Sequence, residues 1–219
     1  KYSVLPLDDR LTERFVAALV GRPDLMAGRT SLTVYQGMAG MSENVFINLK
    51  NKSHTITAEV EIPKKGANGV ILAQAGRFGG WSLYVKDSKP TYTYNWLGLQ
   101  RYTVAATQAV PAGKATIRFD FAYDGGGLGK GGTGTLLVNG KKVAEGRIER
   151  TQCCAFSADE GADVGADEGT PVTEDYKVPF KFTGTIGKVT VELKEMKAAG
   201  KAEADTAHRE ARLKKALSD

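Results

Sequence analysis

The sequence predicts a mainly β chain: two antiparallel sheets packed face to face, preceded by a short helix and followed by a helical tail. Three observations predict it. Apolar residues alternate with polar ones over several short runs. Turn residues bound those runs at close intervals. No helical segment alternates with them, which argues against a parallel α/β sheet.

The elements follow in chain order. Asp8 or Asp9 can cap a first helix whose face carries Leu11, Phe15, Ala18 and Leu19, and Gly21, Arg22 and Pro23 end it. Residues 1–28 are therefore read as a helical lead-in. From Arg29 the period is two. In the run from Ser53 to Ile62, Ile56, Ala58, Val60 and Ile62 alternate with Thr55, Thr57, Glu59 and Glu61. Pro63 and Gly66 break that strand. A short apolar run spans Gly69 to Ala75. Trp81, Leu83 and Val85 share a face of the next strand, which turns at Asp87 and Ser88. The returning strand puts Tyr92, Tyr94 and Trp96 on one face and Thr91, Thr93 and Asn95 on the other. Ile117, Phe119, Phe121 and Tyr123 form a further alternating face. Leu136–Val138, Asn139-Gly140 and Lys141–Ile148 read as a hairpin with a two-residue turn. Last strands are expected around Phe180 and from Thr185 to Lys194. The sandwich thus occupies residues 29–194. Residues 195–219, rich in Ala, Lys and Glu, read as a helical tail that can dock only through Met196, Leu213 and Leu217.

Length and charge narrow the function. The 219 residues are enough to bury a sizeable core. No apolar run is long enough to cross a membrane. No signal segment opens the chain, which begins at Lys1 and reads as a piece of something longer. The net charge of +5 averages two unlike parts. From Thr151 to Tyr176 there are seven acids and no Lys or Arg; taking those seven negative charges from the net leaves about +12 elsewhere. The cations are scattered, with no basic cluster interleaved with stacking aromatics, so nucleic acid is not an expected partner.

Several motifs invite chemistry. Gly127, Gly129 and Gly132 fit G-x-G-x-x-G, but strands lie on both sides where a dinucleotide site needs a helix after the loop. Glu59 and Glu61 share a strand face about 7 Å apart, a spacing that suits glycosidase carboxylates; the third acid usual in such a row is missing, and a solvated face is expected. Asp163 and Asp167 sit in the acidic stretch, where hard cations find oxygen ligands, but without calcium-loop spacing. No metal is therefore expected, and no cofactor. The adjacent Cys153 and Cys154 are expected as free thiols on a strand or its edge, because a ring closed through one peptide bond is strained. His54 and His208 are isolated and are expected to be structural. The aromatic row of Tyr92, Tyr94 and Trp96, with Trp81, Arg101 and Tyr102 nearby in sequence, is the candidate ligand surface: sugar rings stack on such rows. Half of a sandwich's strand faces are core, so the same row also fits an interior.

A resemblance bears on these residues. Ser53–Pro63, Gly76–Lys86, Tyr94–Val104, Gly125–Gly132, Asp163–Val172 and Tyr176–Phe182 resemble stretches near the C-terminus of bacterial arylsulfatases. Tyr2–Arg10 is similar to the segment that follows the catalytic domain in that family. The resemblance runs from Tyr2 to Lys194 and implies a concanavalin-A-like sandwich, a jelly roll. It implies that calcium and a formylglycine made in a C-x-[P/S]-x-R motif serve a catalytic domain outside this chain, in a bacterial parent that is periplasmic, secreted or cytoplasmic. That motif is absent: the fourth residue after Cys153 is Ser157, and after Cys154 it is Ala158. The expectation is a non-catalytic sandwich domain that packs on a catalytic domain and shapes entry of a sulfate ester. The alternative is a carbohydrate-binding module for sulfated polysaccharide. A free-standing glycanase using Glu59 and Glu61 is a third.

Overall fold

The computed structural model describes residues 25–194 and Thr206. The expected first helix and, apart from Thr206, the tail from Glu195 lie outside the described residues. Eleven strands form two antiparallel sheets. The first sheet has six strands: β1 (Ser31–Val34), β2 (His54–Ile62), β7 (Gly113–Tyr123), β8 (Gly132–Val138), β9 (Lys141–Ile148) and β11 (Thr185–Leu193). Their order is β1-β11-β2-β7-β8-β9. The second sheet has five: β3 (Gly69–Gly76), β4 (Gly79–Lys86), β5 (Lys89–Trp96), β6 (Gln100–Ala105) and β10 (Ala162–Val164), in the order β10-β3-β4-β5-β6. The β-sandwich is the expected jelly-roll class. No helix among the described residues is long and apolar enough to cross a membrane.

Alternation builds the core. Ile56, Ala58 and Val60 point inward from β2 opposite Phe119, Ile117 and Ala115, with Ile62 and Phe121 in the same buried layer. The second sheet sends Leu72, Trp81, Leu83, Tyr92, Tyr94, Tyr102 and Val104 to meet them. Tyr92 lies flat on Phe119 with ring centroids 3.6 Å apart. Burial of these large faces is the main stabilising term. The Asn139-Gly140 turn forms as expected, with φ of 48° and 79°, the left-handed values that a twisted two-residue hairpin turn requires.

Two expectations fail on geometry. The region around Phe180 is not a strand. Residues 165–183 instead form a strap across the outer face of the second sheet. Its apolar residues Val172, Tyr176, Val178 and Phe180 pack on Val70, Ala73 and Tyr84 to make a second, smaller core. Val70 N donates to Phe180 O at 3.0 Å, and Phe182 N to Gly165 O at 2.9 Å, so the strap's backbone is satisfied without a full ladder. The cysteines are not free thiols either: Cys153 and Cys154 form a vicinal disulfide. The loop that carries it is clamped on both sides. Asn51 Nδ2 donates to Cys153 O at 2.7 Å, and the Glu43 carboxylate accepts from the backbone N–H groups of Phe156 and Ser157.

Candidate functional site

Strand parity divides the sequence-predicted ligand residues between two environments. Trp81, Tyr92, Tyr94 and Tyr102 point between the sheets and are buried. Trp81 Nε1 donates to Gln74 Oε1 at 3.1 Å, and the Tyr94 hydroxyl accepts from Gln152 N at 2.8 Å. Burial pushes the Tyr92 and Tyr94 phenols well above their usual range. These four rings are core and offer no face to a sugar. Trp96 continues the same row but reaches the rim of the sandwich, half-buried, with the Arg150 guanidinium 5.2 Å over its ring. Arg101 points the other way, onto the outer face of the second sheet. Its Nη2 donates to Glu174 Oε1 at 2.9 Å, and its Nε is buried with no acceptor among the described residues.

What surrounds Trp96 is the candidate surface that the sequence row half reveals. The β3–β4 turn (Arg77-Phe78) and the β5–β6 turn (Leu97-Gly98-Leu99) lie side by side at this end. Their large apolar side chains are out in solvent: Phe78 is 78% exposed, Leu99 75% and Leu97 47%. A buried amide holds the two turns together. Asn95 Nδ2 donates to the carbonyls of Gly76 and Arg77 at 2.8 and 2.9 Å, and its Oδ1 accepts from Gly98 N at 2.9 Å. The loop after β9, which carries Arg150 and the disulfide, closes in through Gln152. This end therefore presents a rigid apolar surface with two exposed guanidinium groups, Arg77 and Arg150. Phe78 was not singled out in the sequence. A lone Phe in a Gly-Arg-Phe-Gly turn carries no periodicity, and its position between two turn glycines was the only available signal.

The remaining candidates are accounted for by local structure. Asp163 Oδ1 accepts from Gly40 N at 2.7 Å. Asp167 is only 1% exposed and sits under the strap, where its Oδ2 accepts from the Tyr176 hydroxyl at 2.6 Å. Burial, against those hydrogen bonds, pushes its carboxyl up to about 6. Neither acid has the company a cation needs: among the described residues, no group of three or more His, Cys, Asp or Glu could hold a metal ion. His54 is buried against Phe121, and burial lowers its imidazole to about 4. Glu59 and Glu61 are exposed on the outer face of the first sheet. Glu59 pairs with Lys188 at 3.1 Å, and both carboxylates line a cleft of about 380 Å³.

No family model matches this chain, and no curated protein matches it. Solved structures do. The CBM40 of Ruminococcus gnavus IT-sialidase bound to α2,3-sialyllactose superposes with a TM-score of 0.52 at 13% identity, over 77% of this chain and 92% of that one. The same module bound to α2,6-sialyllactose gives 0.50 at 12%, over 78% and 94%. NanB sialidase from Streptococcus pneumoniae gives 0.54 at 14%; the match covers 77% of this chain but only 27% of the sialidase. At such identities the likeness establishes the fold.

These findings correct the arylsulfatase assignment. The structures that the fold resembles above come from sialidases, not from sulfatases. The calcium, the formylglycine and the catalytic-domain partner implied by that resemblance have no support here. The physical reason lies in what the matched stretches do. Ser53–Pro63 contains the central strand β2 of the first sheet. In Gly76–Lys86, Trp81 fills the core, and a Cβ on Gly80 would fall 2.2 Å from Gln74 O. Such residues specify how a sandwich packs, and they carry no chemistry of their own.

Proposed function

We propose that this chain is a carbohydrate-binding module that takes an acidic glycan, sialylated or sulfated, on the turns around Trp96. The observation that carries the reading is the pair of turns locked by Asn95, which hold Phe78, Leu97 and Leu99 in solvent beside Arg77 and Arg150. An exposed ring stacks on the C–H face of a pyranose, and guanidinium forks bind carboxylate or sulfate in two parallel hydrogen bonds. A surface fixed before binding loses little entropy on complex formation. The fold likeness to a sialidase module solved with two sialyllactose isomers supports the same reading.

A glycan array followed by calorimetry tests it. Sialylated or sulfated glycans bind above their neutral parents. Phe78→Ala and Arg150→Ala each weaken that binding about tenfold, the scale of ~1.4 kcal/mol, without changing the melting temperature. Unchanged affinity in both variants removes the turns as the binding surface. A screen with no glycan bound at millimolar concentration removes the function.

A further inference from the structure

The outer face of the first sheet treats its charges in two ways. Most of these charges are spent on a neighbour, although Lys141 and Glu192 make no side-chain ion pair among the described residues. Arg118 Nε donates to Asp120 Oδ1 at 2.9 Å, and Thr55 Oγ1 donates to the same oxygen at 2.7 Å. Glu145 takes Lys142 and Thr135, and Arg147 takes Asp124 and Glu149. One corner differs. Glu61 of β2 stands directly opposite Lys114 of β7 in the strand register. Opposite charges so placed normally close on one another, yet among the described residues neither makes an ion pair or a hydrogen bond through its side chain. Both line the cleft of about 380 Å³, which Glu59, Thr116, Asn139 and Thr185 border as well.

Local structure keeps this corner open. β11 carries a bulge between Ile186 and Lys188, so that the strand bends as it reaches the cleft. Gly187 at the bulge puts no side chain into the space. On the far side, Asn139 Oδ1 accepts from Thr116 N at 2.8 Å, and Asn139 N donates to Thr116 O at 2.9 Å. That pair fixes the β8–β9 turn as a wall and leaves the amide Nδ2 as a donor. The cleft therefore offers carboxylate acceptors, ammonium and amide donors, and two hydroxyls that do either. Glu59, Glu61 and Lys114 line it, and Lys188 just outside neutralises Glu59 at 3.1 Å, which leaves Glu61 balanced by Lys114.

We infer that this cleft is a second binding site, for a neutral sugar residue whose vicinal hydroxyls bridge Glu61 and Lys114. Adjacent hydroxyls on a pyranose each donate and accept, so one ring engages a carboxylate and an ammonium at once. A neutral ligand fits a recess with no net charge, in contrast to the guanidinium-flanked turns. The inference extends the glycan-binding reading but stands on different residues.

The test is two-dimensional NMR of the full chain titrated with glucose, galactose, cellobiose and lactose. The expected result is saturable shifts in the amides of residues 59–61, 114–116, 139 and 185–187 with at least one of these sugars. Glu61→Ala and Lys114→Ala each weaken that response at least tenfold and leave acidic-glycan binding at the turns unchanged. Phe78→Ala does the reverse. Thr185→Trp, which fills the recess, abolishes the cleft response while the spectrum elsewhere stays that of the wild type. No saturable shift at these amides up to 50 mM sugar, or shifts indifferent to both Glu61→Ala and Lys114→Ala, overturns the inference. Loss of turn binding with the cleft response intact counts against the proposed function alone.

Discussion

The outer faces of the two sheets meet opposite fates. That of the first sheet is open to water, and its strands carry Thr, Glu, Lys and Arg in cross-strand pairs. That of the second carries Ser82, Tyr84, Thr91, Thr93 and Asn95, all buried. Most of these bury their polar atoms satisfied. Tyr84 Oη contacts Thr93 Oγ1 at 3.2 Å and donates to Asp175 Oδ2 at 2.7 Å, and Thr93 contacts Thr103 at 3.1 Å. The strap from 165 to 183 makes the difference. A half-polar strand face becomes interior when a loop with its own apolar residues lies down on it. The open face is left with its charges available, and one corner of it with charges unspent.

Mutations separate the two faces by size of effect. Tyr176→Ala removes the ring that stacks on Phe180 at 4.8 Å and meets Tyr84 edge-on at 5.2 Å. It is expected to cost about 3–5 kcal/mol in urea unfolding, as for other buried aromatic truncations. Glu59→Ala on the open face costs less than about 0.5 kcal/mol. Equal losses would mean that the strap does not turn its face into core.

Acid titration probes the strap next. Asp167 has a folded pKa near 6, above the ordinary carboxylate value of 3.8, because burial disfavours its charge. Between those values the folded chain holds a proton that the unfolded chain releases. This contribution to stability is complete below pH 3.8 and is lost as pH rises through 6. Asp167→Asn lacks the titration. Its stability advantage over the wild type should grow across pH 4–6, by up to about 3 kcal/mol, and stay level above. His54 works in the other sense in both proteins and cancels from the difference: its lowered pKa stabilises above pH 6.5 and is lost as pH falls through 4. A difference that does not change with pH would place Asp167 in water.

Smaller effects sharpen the boundary. Tyr84→Phe keeps the ring and removes a hydroxyl shared by two partners, a loss of about 1–1.5 kcal/mol by chemical denaturation. At the rim of the strap, Glu174→Ala breaks the contact with Arg101. The Glu174 side chain is 71% exposed, and the expected loss is within about 1 kcal/mol and falls with added salt.

Much of the sandwich was legible because one face of each strand in the first sheet is wet. β2 alternates in sequence and in burial alike. β5 was ambiguous for a physical reason. Tyr92 and Tyr94 face the core, and Thr91, Thr93 and Asn95 face the strap, so both sides are dry and alternation cannot say which side a ligand reaches. The strap itself was hidden by its acids. Seven carboxylates from 151 to 176 read as a solvated loop, and the apolar residues between them have neither period two nor 3.6. Of the candidate surface, Trp96 was named from the sequence; Arg101, named with it, lies on the opposite face beside Glu174. Phe78, Leu97, Leu99 and Arg150 come together only through turns far apart in the chain. The disulfide was missed because local strain argued against it, whereas the loop around it is held by distant partners, Asn51 and Glu43.

The most direct test of the central claim is a calorimetric titration of sialyllactose and a sulfated disaccharide into the wild type and into Phe78→Ala, both shown to be folded. The expected result is saturable binding of at least one acidic glycan by the wild type and a roughly tenfold weaker constant for the variant. Equal constants, or no heat of binding to either protein, would contradict it.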